Sequence, residues 1–268
     1  MSGDQRDTRF PTTPDPATDA LGDLRSATIR LVRTVDGIED GDWTSPSRLP
    51  EWSRAHVVAH LALHAEGVAG AVVALLEGEE TPMYASVARR NSDIDRLATA
   101  SPPVLRDRLM GATTELARAL AAGSAVPELG DAVIERTPGS ARRFRVSTLP
   151  LARLREVEIH HADLGLGYEA ADWPTEFVTA LLDTRSGGYD GAPFRAHATD
   201  LGAYWVFGVD GDAAPDSEDW QHPTVRGPAS SLAWWSTGRP VGADPTRPGQ
   251  DGAPLSCEGG EMPRMEGM

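Results

Sequence analysis

Hydrophobic positions recur at helical spacing over four stretches of the chain. From Asp19 onward, Leu21, Leu24, Leu31, Val35 and Ile38 line one face of a first amphipathic helix. "DWTSPSRLPEWS" is then a loop with two prolines, and its Ser53 is placed to cap a second helix from about Arg54 to Leu76, the longest apolar one. "EGEETPMYASVARRN" shows no clear periodicity and reads as a connector. Ser101, followed by two prolines, opens a third helix over 101–122, striped by Leu105, Leu109, Leu116 and Leu120. "DAVIERTPGSARRFRVST" has the pattern of a β-hairpin turning at Thr137–Ser140. "LPLARLREVEIHHADLG" is a fourth helix, stopped by Gly165 and Gly167. Four helices with one long crossover predict a four-helix bundle over residues 18–168.

After "GLGYEAADWP" the texture changes. "PTEFVTALLDTR" is helical, "FRAHATDLGAYWVFGVDG" reads as strand, and "TVRGPASSLAWWSTGR" as a strand end, a turn and a short helix. Residues 172–240 are therefore expected to form a small α+β domain, with Trp234 and Trp235 in its core. Residues 1–17 read as disordered. From 240 to 268, 11 of 29 residues are Gly or Pro, so 241–268 is expected to be a mobile tail. The predicted fold class is mainly α with α+β: a bundle followed by a small mixed domain.

Charge and composition narrow the function. The 268 residues carry a formal net charge of −15, which argues against nucleic acid and against an anionic membrane face as partners. All 25 basic residues are arginine, a bias of GC-rich, actinobacterial-type coding. The single cysteine, Cys257, excludes a disulfide within the chain, and it lies in the Gly/Pro-rich stretch, so thiol chemistry here calls for an imported thiol. The N-terminus lacks the apolar run of a signal peptide. The most apolar stretch, "VVAHLALHAEGVAGAVVALL", is interrupted by His60, His64 and Glu66 and fails as a membrane span, so a cytoplasmic location is expected.

The densest chemistry lies in "LREVEIHHADLG". On a helix Glu156 and His160 share a face, and so do Glu158 and His161, giving two overlapping carboxylate–imidazole pairs. His56, His60 and His64 stand at i, i+4 and i+8 on the second helix and offer a facing half-site for a divalent ion. Helical angles put His161 in the middle of the apolar stripe of Leu151, Leu154, Val157 and Leu164, as a core residue or a ligand. Glu158 is most simply a solvated charge. Spacing does not choose among the five histidines, and purely structural roles in a non-enzymatic bundle are the plain alternative. Arg239, after Gly238, reads most simply as a helix-end charge. No Walker loop, GxGxxG or GxSxG motif is present.

Four segments in order, "LPEWSRAHVVAHLALHAEG", "ETPMYASVARRNSDI", "LREVEIHHADLGLGY" and "VRGPASSLAWWSTGR", resemble the mycothiol-dependent maleylpyruvate isomerase family over roughly residues 20–240. The resemblance implies a DinB-like metal-binding bundle joined to a sterol-carrier-like α+β domain. It also implies zinc or another divalent metal held by His60, Glu156 and His160, with the fourth position left open. Arg239 would contribute to activity and, with Arg90 second, hold the carboxylates of a small dicarboxylate substrate. The implied reaction converts maleylpyruvate to fumarylpyruvate in gentisate catabolism: mycothiol adds reversibly as thiolate, the former double bond rotates, and elimination returns the thiol. The alternative on the same scaffold is a mycothiol S-transferase that conjugates the thiol to another electrophile. The chain departs from the family at Glu51, commonly Gly, at His64, often Asn, and in the length of its tail. None of these removes an implied ligand.

Overall fold

The computed structural model describes residues 16–208, 220–242 and 254–267. The expected disorder of 1–17 falls largely outside these residues, as does the middle of the expected tail. Four long helices form the bundle: α1 (Pro16–Asp36), α2 (Arg54–Leu76), α4 (Pro102–Ser124) and α5 (Leu149–Asp163). α2 packs on α4 and α1 on α5, and contacts of α2 with α5 and of α1 with α4 close the ring. α2 is the central element. Its interior is built from small residues such as Ala55, Ala59, Ala62 and Ala65, fully or almost fully buried, which lets neighbouring backbones approach closely. Although it is long and apolar enough to cross a membrane, most of it is covered by the other helices.

The stretch read as a connector contains a further helix, α3 (Val87–Ala98). Its twelve residues "VARRNSDIDRLA" bury only Ile94, too narrow an apolar stripe for periodicity to show. The cap was nevertheless present: the Ser86 side chain accepts from the Arg89 backbone N–H. The segment before α3 lies against α2 at Gly67, where a Cβ would come within 2.9 Å of the Met83 carbonyl. It also donates backbone hydrogen bonds from Met83 to Glu135 and from Tyr84 to Arg136. These bonds pin the hairpin β1 (Val133–Glu135) and β2 (Arg143–Arg145), which turns at Thr137–Ser140 as expected.

Beyond the bundle, α6 (Thr175–Gly187) and α7 (Ala229–Ser236) pack on each other and on a four-stranded sheet of order β4-β3-β5-β6. β3 (Phe194–Ala198) runs antiparallel to β4 (Ala203–Phe207) and parallel to β5 (Thr224–Gly227). Along β3, Phe194, Ala196 and Ala198 are buried while Arg195 and His197 are half-exposed, the period of a sheet with one covered face. Trp234 and Trp235 are both buried, as expected. The tail is a correction. β6 (Ser256–Glu258) adds antiparallel to β5, and residues 262–265 continue onto the site described below. Glycine and proline content flagged low complexity, but the unpaired edge of β5 supplies backbone partners that composition does not register.

Glu158 is a second correction. It is 1% exposed, accepts from Arg30 Nη2 at 2.6 Å and from the Tyr168 hydroxyl at 2.5 Å, and so joins α1, α5 and the loop after α5. His161 stacks on Tyr168 at 3.9 Å between ring centroids and bonds Thr34 Oγ1 at 2.7 Å. Burial, reinforced by Arg30, pushes its pKa down to about 4, so it is a neutral core imidazole near pH 7.

Two outcomes follow for stability. Glu51 adopts φ 65°, a left-handed backbone that favours glycine. Replacing it, Glu51→Gly should raise unfolding free energy by about 0.5–1 kcal/mol in urea titrations. Glu158→Ala strands the Arg30 and Tyr168 donors and should lower it by about 2 kcal/mol in the same assay.

Candidate metal centre

Each side chain at the centre is placed by a local rule. Ser53 caps α2 reciprocally: its Oγ accepts from the His56 backbone N–H, and His56 Nδ1 accepts from the Ser53 backbone N–H at 3.3 Å. His56 is thereby committed to the helix end. One turn on, His60 is 3% exposed and faces α5. A turn further, His64 Nδ1 accepts from the buried Arg153 at 3.1 Å, and its Nε2 lies 3.8 Å from Glu156 Oε1. From α5, Glu156 and His160 project on successive turns toward His60.

Among the described residues, His60, Glu156 and His160 are the three donors that converge. His60 Nε2 is 2.9 Å from Glu156 Oε2 and 3.1 Å from His160 Nε2, and His160 Nε2 is 3.4 Å from Glu156 Oε2. Metal–ligand bonds of about 2.0–2.2 Å in tetrahedral array place donor atoms roughly 3.4 Å apart. The observed triangle is close to that size, and a nitrogen–nitrogen–carboxylate set suits zinc. These residues therefore fit a divalent ion.

The outer partners sharpen the picture. His160 Nδ1 bonds Asp163 Oδ2 at 2.8 Å, the outer carboxylate that metal-bound imidazoles commonly have. Asp163 is fully buried and is also gripped by Arg239, with Nε to Oδ1 at 2.8 Å and Nη2 to Oδ2 at 2.6 Å. His60 differs, because its Nδ1 meets a donor, Arg90 Nη2, at 3.1 Å. That contact puts the proton of neutral His60 on Nε2, between Glu156 and His160, where a cation would replace it.

Protonation is set by this crowding. Burial brings the His60 pKa down to about 4, against the opposing bond to Glu156. Burial alone would raise Glu156, but the surrounding His64, His160 and His60 outweigh it and hold the carboxyl well below its ordinary range. Burial opposes a charge on His160 as well, yet Asp163 and Glu156 keep its pKa above the ordinary value.

The centre forms the floor of a cleft of about 940 Å³. Trp52 and Trp235 supply apolar wall, the Trp52 ring meeting His60 edge-on at 5.6 Å, and Met262 and Met265 from the C-terminal segment close one side. Of the sequence candidates, Arg90 and Arg239 both line this cleft. His56, His64 and His161 stand outside the triangle. Asp163 and Arg153 were not singled out from sequence; Asp163 was visible in principle, three residues after His160 and so one turn along the same face.

The model of the mycothiol maleylpyruvate isomerase N-terminal domain matches residues 24–165, more than half of the chain. Two solved structures of a mycothiol-dependent maleylpyruvate isomerase, one of them a histidine-to-alanine variant, share the fold. They give TM-scores of 0.77 and, for the variant, 0.76, at 23% and 22% identity, over 94% of this chain and 96% of theirs. No curated protein matches. With its bundle covered by that family model, the chain belongs to the mycothiol maleylpyruvate isomerase family.

Proposed function

We propose that this chain is a metal- and mycothiol-dependent cis–trans isomerase that converts maleylpyruvate to fumarylpyruvate. The observation that carries the reading is the convergence of His60, Glu156 and His160 at the floor of an open cleft, with three donors and room for a fourth. A divalent ion bound there, zinc being best suited to the donors, would supply a Lewis acid that favours thiolate over thiol near neutral pH.

The chain's own residues do the rest. Asp163 fixes the His160 ring with Nε2 inward, and Arg239 offsets the buried charge of Asp163 so that it can serve as this anchor. Trp52 and Trp235 give the cleft an apolar wall beside the three donors, a surface suited to the carbon skeleton of a conjugated substrate. Cys257 supports an external nucleophile: it lies on β6, outside the lining of the cleft, with its Sγ on the Glu261 carbonyl at 3.4 Å. Burial and Glu258 push its thiol pKa up, away from reactivity. Reversible addition and elimination return the thiol, so an isomerase consumes none of it.

Metal analysis tests the ligand set. His60→Ala should lose the metal retained by the wild type, with activity falling to background, while His161→Ala should keep its metal. The opposite pattern would show the ligands to be wrong. Product analysis tests the reaction. With mycothiol, zinc and maleylpyruvate, fumarylpyruvate should accumulate at constant thiol concentration; stoichiometric loss of mycothiol would instead make the chain an S-transferase.

A further inference from the structure

The cleft is lined by arginines, and most of the nearest ones are already engaged. Arg239 is held by Asp163, Arg48 pairs with Glu169 at 3.2 Å, and Arg90 bonds His60 and the Asn91 side chain. Arg136, Arg142 and Arg155 also line it, and among the described residues none of the three makes a side-chain ion pair or hydrogen bond. They come from two elements fixed beside the metal centre. Arg136 and Arg142 face each other at the end of the hairpin, joined by a backbone bond from Arg136 N–H to the Arg142 carbonyl at 3.0 Å. Arg155 immediately precedes Glu156 on α5.

Glu156 attracts Arg136 and Arg155 from nearby but forms no ion pair with either and is itself held by His60. Three guanidinium groups thus share one committed carboxylate, and an arriving anion would relieve their mutual repulsion. This basic wall stands in a chain of net charge −15, so it is a local feature rather than a general excess of positive charge.

We infer that Arg136, Arg142 and Arg155 form a carboxylate subsite beside the metal centre, one that takes a small unsaturated dicarboxylate by charge-assisted hydrogen bonds. Two carboxylates need more donors than a single arginine presents, and guanidinium forks bind them in bidentate fashion. The identification of the ligand as a dicarboxylate rests on the isomerase reading; the anion subsite itself rests on the three unpaired side chains. Arg239 then acts chiefly through Asp163 and not as the principal clamp.

The test is calorimetric titration of maleate into chelator-treated, dialysed protein, so that the arginines are read without metal. Wild type should bind, and Arg142→Gln and Arg155→Gln should each weaken binding about tenfold. Arg118→Gln, on the exposed face of α4, should leave affinity unchanged. Arg142 is exposed, so its variant puts folding at little risk, and circular dichroism of both variants checks this. Unchanged affinity in Arg142→Gln and Arg155→Gln, or no binding by the wild type, overturns the subsite. A wild type inert toward maleylpyruvate that still binds maleate through these arginines removes the isomerase reading and leaves the subsite. Turnover of maleylpyruvate with KM unchanged in both arginine variants does the reverse.

Discussion

The carboxylate of Asp163 is the constraint on which the rest of the structure depends. A fully buried charge must find opposite charge and hydrogen bonds, and this one finds both in two directions. Arg239 reaches it from 76 residues further along the chain, past α7, and so fastens the α+β half to the end of α5. His160 reaches it from one turn back and has its ring orientation set by the same oxygen that Arg239 Nη2 holds. One buried charge thus joins two parts of the fold and aims one donor of the metal centre. Asp163 also lends its backbone carbonyl to Arg48, another lining residue of the cleft.

The electrostatics of the cleft run against those of the chain. Acidic residues outnumber basic ones overall, yet the carboxylates at this site are already spoken for, Glu156 by histidines and Asp163 by Arg239. What faces the open volume is therefore positive, and low-dielectric walls from Trp52 and Trp235 concentrate that field. An acidic exterior with a basic interior suits a small anion that must be drawn into one place without making the protein a general anion binder.

Much of this was legible in the sequence, and the exceptions have physical causes. The span of α2 and its Ser53 cap were readable because a long apolar run with a capping residue has few other ways to fold. The hairpin turn was readable from its Pro-Gly pair. α3 was not, since one buried isoleucine in twelve residues leaves no period to detect. Glu158 reads as a surface charge because composition gives a glutamate no credit for a partner that lies 128 residues away on α1. The end of the chain reads as mobile because an added strand depends on an open edge elsewhere, not on its own residues.

The site divides in the same way. Sequence alone determined that Glu156 and His160 share a helical face and that His60 lies on a helix able to face them, because helix geometry is local. It left His161 and His160 as rivals, and the family resemblance, not spacing, singled out His160. Tertiary structure decided which histidine meets which neighbour. His161 is taken into the core by Thr34 and Tyr168, His56 by its cap and His64 by Arg153, while His60 and His160 are left facing one carboxylate. It also decided that Arg239 would be bound and that Arg136, Arg142 and Arg155 would not. Pairing is a property of distances between elements, and those distances exist only once the helices, hairpin and sheet have packed.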